Sequence, residues 1–294
     1  MDSLAGKRLV VFGCGYVGAA VARCADEAGL EVTALTRNPA TALLLREVGL
    51  HTVVADLADS GWHAEIPGGV DFAVDCVSSG GGGIEAYRHS YLAGMQSILA
   101  WARARGTVGT FVYTSSTSVY PQGEGAIVDE ASPATARSER AQVLLDTEGQ
   151  LQAAADAARR RFVLRLAGIY GPGRHHLLEQ VRAGEVAGRG EHRLNLIHRD
   201  DIVTAIACCL LAPEEVAGGV FNLADDGPAP KAEVAAWLAT ALGVPAPRFT
   251  GEPAAGRSQA TPDRIIRNAR ARTELGWQPR YPTFREGYAK MLSR

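Results

Sequence analysis

The first residues whose types and spacing could do chemistry lie close to the N-terminus, in Gly13-Cys14-Gly15-Tyr16-Val17-Gly18. The apolar run Leu9 to Phe12 before them reads as a buried strand, and Ala19-Ala20-Val21-Ala22-Arg23-Cys24-Ala25 after them reads as a helix. Strand, glycine turn and helix in that order make G-x-G-x-x-G a phosphate-binding signal rather than a chance spacing. Gly13 makes the tight turn, Gly15 lets backbone approach a pyrophosphate, and Gly18 lets the helix pack closely on the strand. The helix N-terminus offers N–H groups and a positive dipole end to the phosphates. The alternative is a glycine turn with no ligand, and the strand and helix on either side weigh against it.

An acidic residue at the end of the second strand normally takes the adenosine ribose hydroxyls and favours NAD. Here the chain reads Leu35-Thr36-Arg37-Asn38-Pro39. Arg37 offers a fixed positive fork for a 2′-phosphate, with neutral hydrogen bonds from Thr36 and Asn38, so the cofactor expected is NADP(H) in preference to NAD(H). A solvated Arg37 beside loosely held NAD is the other reading.

Fewer signals come from the remaining reactive side chains. The five cysteines (Cys14, Cys24, Cys76, Cys208, Cys209) are odd in number and lack C-x-x-C spacing, so they read as small buried residues of a reducing compartment. His175 and His176 are adjacent and cannot easily bind one metal from a regular helix, so no metal is expected. Gly80 to Gly83 permit either close approach to a ligand or a floppy loop. Arg193, Arg257 and Arg264 are the cations for a phosphate or carboxylate on a substrate, or else surface charge.

These groups need a scaffold, and the hydrophobic rhythm describes one. Strands are expected at Glu31–Thr36, His51–Val54, Asp71–Val77, Val108–Thr114 and Phe162–Leu166. Helices are expected from Pro39 to about Val48, over Ile84–Arg105 and over roughly Arg140–Arg160. That alternation predicts an α/β fold, a Rossmann doubly wound parallel sheet with helices on both faces. Residues 1–171 would form the NAD(P)-binding core. Residues 172–294 are a mixed segment, with a short helix Leu177–Val181, a strand Leu194–His198, a helix Asp200–Leu211 and a further core strand Val220–Leu223. Helices Lys231–Leu242 and Thr283–Leu292 follow, and a small C-terminal substrate lobe is rich in proline. With 294 residues, 47% hydrophobic, the chain can bury one large core plus a smaller lobe. Its 30 basic and 32 acidic residues are mixed along the chain, which excludes a nucleic-acid stripe. The start is no signal peptide, and the run Ile202–Ala212 is too short to span a bilayer. A cytoplasmic protein with a small-molecule substrate and neither nucleic-acid nor membrane partner is expected.

The ordered motifs resemble an extended short-chain dehydrogenase/reductase of the NAD-dependent epimerase/dehydratase family, in an atypical form. Besides the glycine turn, the resemblance rests on Ser115-Ser116-Thr117-Ser118-Val119-Tyr120, on Leu164 to Gly173, on Asn195-Leu196-Ile197-His198-Arg199-Asp200-Asp201 and on Leu275-Gly276-Trp277-Gln278-Pro279. It implies that Asp56 and Leu57 contact adenine and that Val77, Ser78, Ala167, Gly168 and Ile169 pack on the cofactor. Ser79, Arg174, Asn195, His198 and Arg257 would face substrate. Ser116, four residues before Tyr120, matches the family's serine, and with Thr117 and Tyr120 it makes the candidate catalytic set. The family's Tyr-x-x-x-Lys should follow, but Pro133-Ala134-Thr135-Ala136-Arg137-Ser138-Glu139-Arg140 aligns Thr135 with the tyrosine and Glu139 with the lysine. A threonine hydroxyl is too weak an acid to replace a lysine-activated phenol, and a glutamate would repel a phenolate. Tyr91, Tyr170 and His198 are the other acid/base candidates, His198 and Tyr120 being equally at home as packed core residues. Tyr91, Met95, Ile98 and Leu99 form an apolar face for a homodimer or for packing on the sheet. The expected function is an NAD(P)-dependent enzyme acting on a carbinol or carbonyl centre of a polar, sugar-like molecule. The alternatives are a dinucleotide-binding sensor or scaffold without redox catalysis and a non-redox isomerase or lyase on the same fold.

Overall fold

The computed structural model describes residues 4–252 and 262–293. The chain divides into two compact units, one of Met1–Val119, Ala134–Arg165 and Ala205–Phe221, the other of Tyr120–Pro133, Leu166–Thr204 and Asn222–Arg294. Both units are therefore assembled from separated stretches of sequence.

The main sheet contains β1 (Arg8–Phe12), β2 (Glu31–Thr36), β3 (His51–Val54), β4 (Phe72–Asp75), β5 (Val108–Ser116), β6 (Ala158–Leu166) and β7 (Gly218–Leu223). Their order is β7-β6-β5-β4-β1-β2-β3, and β1 runs parallel to β2 and β4, as β2 does to β3 and β4 to β5. This is the doubly wound α/β arrangement expected. Leu9 to Phe12 are all buried, because a central parallel strand is covered on both faces and needs a continuous apolar run. Strand order reverses between β1 and β4, so their carboxyl ends diverge into the crevice where such sheets take ligands.

The helices of the first unit include α1 (Gly18–Glu27), α2 (Pro39–Glu47), α3 (Ile84–Arg88), α4 (Gly94–Arg105) and α5 (Glu139–Ala153). Asn38 caps α2 by accepting from the Ala40 and Thr41 amides, with Pro39 at the first helical position. The helix expected over Ile84–Arg105 contains a π-helical turn at His89–Ala93 between α3 and α4, a local widening common at functional sites. The helix expected to reach Arg160 ends at Ala153, and Arg159 and Arg160 belong to β6 instead. Their positions are legal in a strand because Arg160 reaches the Thr110 hydroxyl (3.0 Å) and the Ala212 carbonyl (2.6 Å). Phe12, Trp62 and Trp101 meet at ring separations of 5.3, 5.7 and 5.8 Å in the core, and both indoles donate to backbone carbonyls. Met95, Ile98 and Leu99 are buried in this same core. Among the described residues no helix is long and apolar enough to cross a membrane.

In the second unit, Gly168–Tyr170 pairs in parallel with Leu196–His198. The strand expected over Leu194–His198 is broken at Asn195, because Arg193–Leu194 turns away to pair antiparallel with Ala229–Pro230. Two further short pairs, Arg264–Ile266 with Ala126–Val128 and Arg248–Phe249 with Glu185–Val186, were not foreseen. Asp201 anchors the unit: its carboxylate accepts from the Arg280 and Tyr281 amides (2.6 and 3.1 Å), and its carbonyl accepts from the Trp277 indole (3.1 Å). Gly276, at φ +64°, closes helix Ala269–Leu275 in the left-handed conformation that glycine adopts without strain.

One buried ion pair joins α5 to β6. Arg165 Nη2 lies 2.6 Å from Glu148 Oε2, with side-chain exposures of 8% and 6%, and the Ser115 hydroxyl donates to Glu148 Oε1 at 2.6 Å. Removing one member of such a pair leaves the other charge buried without its partner. Glu148→Ala is expected to destabilise the fold by about 3–5 kcal/mol in urea unfolding; a midpoint within error of the parent would refute this account of the pair.

Candidate functional site

The glycine turn sits at the reversal point of the sheet, between β1 and α1. Gly13 has φ +75°, and a Cβ there would stand 2.6 Å from the Val77 backbone. At Gly18 a Cβ would stand 2.4 Å from the Gly13 carbonyl oxygen, so both glycines are demanded by the chain's own packing. Gly15 is different: nothing lies within 4 Å of where its Cβ would be. Packing within the chain therefore does not require glycine at that position. Tyr16 is half-buried and Val17 buried. Cys14 is sealed in, its thiol pushed up to about 12 by burial, and is chemically inert.

At the ends of β2 and β3, Arg37 reaches across to donate to the Ser79 carbonyl at 2.8 Å, and its other nitrogen is 3.9 Å from Asp56. Thr36 and Asn38 hold the turn itself: the Thr36 hydroxyl accepts from the Asn38 amide, and Asn38 caps α2. Asp56 accepts from the Ala58 amide at 3.0 Å and faces His89 Nε2 at 3.1 Å. Partial burial opposes its ionisation, but those two hydrogen bonds and Arg37 outweigh it and hold the carboxyl below its ordinary value. A cavity of about 670 Å³ adjoins this cluster, with Arg37, Arg88 and His89 in its wall together with Glu85. Leu57 is buried, Val77 and Ser79 are half-buried and Ser78 is exposed.

Ser116 ends β5 half-buried and accepts from the Ser118 amide at 3.1 Å, and Thr117 beside it is buried. The stretch 133–140 leads into α5. Thr135 is exposed, Ser138 is the N-cap, and Glu139 is an exposed first-turn residue 3.7 Å from Arg88. Tyr91 lies within the π turn with its ring tilted against Tyr87 at 4.4 Å, and the Arg140 guanidinium is 5.6 Å from the Tyr87 ring centre. Burial, together with neighbouring Tyr87 and Asp75, keeps the Tyr91 phenol well above its ordinary value.

The second unit holds the other expected residues. Tyr120 is 1% exposed and donates its hydroxyl to Asn222 at 2.9 Å, a packed role. Ala167 donates its amide to the Leu223 carbonyl, Gly168 backs onto Asn195, and Ile169 is half-buried. Asn195 bridges the Arg264 carbonyl (2.9 Å) and the Ile266 amide (2.8 Å), so its amide group is engaged in holding a strand. Arg264 is itself buried against the Tyr120 and Gln122 carbonyls, and Arg193 is paired with Asp263 at 2.7 Å. Arg174 is exposed, and Arg257 lies outside the described residues. His198 is buried; its Nδ1 accepts from the Asp200 amide at 3.2 Å, which places the proton on Nε2. Burial pushes its pKa down to about 4, so the ring is neutral near pH 7. Among the described residues no group of three or more His, Cys, Asp or Glu is placed to hold a metal.

The NAD dependent epimerase/dehydratase family model matches residues 9–224, more than half of the chain. The chain belongs to this family. Protein YeeZ of Escherichia coli (strain K12) is 32% identical over 192 residues, 65% of this chain and 65% of YeeZ, so the chain spans just under two thirds of that relative. The 3-diazoavenalumate denitrifying reductase of a Streptomyces species is 31% identical over 218 residues, covering 67% of this chain and 69% of that protein. Among solved structures, the UDP-glucuronic acid 4-epimerase from Bacillus cereus, in complex with UDP-glucuronic acid and NAD, matches with a TM-score of 0.83. It does so over 97% of this chain and 98% of that chain at 17% identity, which is a likeness of fold.

Several residues of this epimerase/dehydratase family member gave no sequence signal for the environment they occupy. His89 on Asp56 and Asp75 at the end of β4 are two; Asp225 is a third. Asp225 accepts from the Gly227 amide through one oxygen, while its other oxygen, the Tyr170 hydroxyl and His198 Nε2 have no hydrogen-bond partner among the described residues. Burial pushes the Asp225 carboxyl up to about 8. A carboxyl raised above its unfolded value adds stability at low pH that is lost as pH rises through the folded value. Asp225→Asn, which keeps an oxygen for Gly227, should therefore melt like the parent near pH 4 and several degrees above it at pH 9; thermal melts across that range check it, and a constant difference would contradict it.

Proposed function

We propose that this chain binds NADP(H) in preference to NAD(H) at the Gly13–Gly18 turn and acts on a carbinol or carbonyl centre of a polar, sugar-like small molecule. The observation that carries the reading is the open space over Gly15, between two glycines that the fold itself requires. The amides at the start of α1 would take the pyrophosphate. Arg37, already oriented by the Ser79 carbonyl and backed by the Arg88 and His89 wall, would take a 2′-phosphate. Asp56 keeps a carboxylate that can accept from the adenine amine. The nicotinamide, when bound, supplies a hydride donor or acceptor; Ser116, at the carboxyl end of β5, offers a hydroxyl to hold the substrate oxygen.

A second reading, dinucleotide binding without turnover, is favoured by one observation: Thr135 and Glu139 stand where the family's tyrosine and lysine are expected, and neither can replace them. Substrate screening with nucleotide sugars and small carbonyl compounds, read both as net NADP(H) turnover and as product formed without it, separates the two, because only the enzyme converts a substrate.

Calorimetric titration tests the cofactor reading. NADPH should bind roughly 10–100-fold more tightly than NADH, the worth of a charge-assisted phosphate contact, and Arg37→Ala should erase the difference. Gly15→Val should abolish binding of both nucleotides while leaving the melting temperature unchanged. Equal affinities in the parent protein would overturn the NADP preference, and undiminished binding by Gly15→Val would overturn the site.

A further inference from the structure

Asp75 is the last residue of β4 and stands at the reversal point of the sheet, 3% exposed. Its carboxylate accepts from the Val77 amide at 2.9 Å, and Val77 is the residue whose backbone presses on Gly13. The carboxyl is thus one hydrogen bond and one van der Waals contact away from the phosphate-binding turn. Register places it beside Phe12 on β1 and Tyr113 on β5, so it shares their face of the sheet. Phe12 offers it nothing polar, and the Tyr113 hydroxyl is buried without a partner among the described residues.

We propose that Asp75 is a positioning residue whose ionisation weakens dinucleotide binding at the glycine turn, so that affinity falls as pH rises. The inference rests on the reading that a dinucleotide occupies that turn. In its protonated form the carboxyl holds Val77 through an oxygen lone pair and adds no charge to the crevice. Once ionised it holds Val77 more strongly but sets a negative charge behind a site built for an anionic pyrophosphate. Like charges in such a partly desolvated place repel strongly enough to shift an equilibrium by roughly tenfold.

The groups facing Asp75 do not cancel that charge. Tyr113 from β5 and Tyr91 from the π turn are both held in the neutral phenol form, with burial as the main cause and Asp75 as a contributor. Cys76, its half-buried chain neighbour, and the buried Cys14 from the glycine turn are thiols pushed upward. Glu148 and Tyr87 are the other titratable groups that act on the Tyr113 phenol. The ion pairs among the described residues include none at Asp75. Burial accordingly lifts the Asp75 carboxyl to about 7, against the pull of the Val77 amide, which brings its ionisation into the range a cell traverses.

NADH is the probe, because its pyrophosphate keeps the same charge between about pH 6 and pH 8.5 while a 2′-phosphate titrates near the lower limit. The full chain should bind NADH roughly tenfold more weakly at about pH 8.5 than at about pH 6. Asp75→Asn keeps an oxygen for Val77 and should bind with no slope, at the affinity of the low-pH parent. His89→Gln should keep the slope, which separates Asp75 from the histidine on Asp56. In the unaltered protein, calorimetry near pH 7 in two buffers of different ionisation enthalpy should show proton uptake on binding, a readout that does not depend on any variant folding. A flat profile in the parent with no proton uptake, or an undiminished slope in a folded Asp75→Asn protein, overturns the inference while leaving the dinucleotide site intact. Failure of NADH and NADPH to bind at either pH overturns the site, and this inference with it.

Discussion

The contact on which the first unit depends is the one made at its reversal point, where β1 and β4 end side by side. No side chain fits at Gly13 or Gly18, because a Cβ at either would overlap backbone at 2.6 or 2.4 Å. That close approach sets α1 tightly against the end of β1. It also leaves Gly15 exposed over open space, as the single glycine of the three that the fold does not use. Packing thus fixes two of the three glycines and leaves open space at the third.

Polar groups around this point are arranged to orient backbone more than to perform chemistry. Arg37 holds the Ser79 carbonyl, Asp75 holds the Val77 amide, and Asp56 holds the Ala58 amide. Each fixes the loop that follows a strand. In the second unit Asp201 does the same for the loop after Trp277, and Asn195 for the strand Arg264–Ile266. Ser116 is the residue of the expected catalytic set that ends a sheet strand half-buried, whereas Tyr120 is closed into a bond with Asn222.

Much of the architecture was legible because it is written locally. The apolar run Leu9–Phe12, followed by glycines at fixed offsets and then a helical pattern, reads as a central parallel strand running into a turn. Side-chain fates were not legible where the deciding partner is remote in sequence. Tyr120 and Asn222 are 102 residues apart, and Arg264 reaches the Tyr120 carbonyl across 144. Composition likewise misled at Arg159 and Arg160, since arginine-rich sequence after an alanine-rich helix reads as more helix. What ends that helix is the tertiary demand that β6 begin at Ala158. Buried carboxyls such as Asp75 and Asp225 carry no sequence mark at all, because burial and not residue type shifts them.

The central claim is that the Gly13–Gly18 turn holds a dinucleotide. Native mass spectrometry of the purified chain, alone and after addition of NADP(H) and NAD(H), tests it most directly. The account predicts one dinucleotide per chain, either carried through purification or acquired on addition. A chain that stays free of both nucleotides at saturating concentration, while remaining folded, would contradict it.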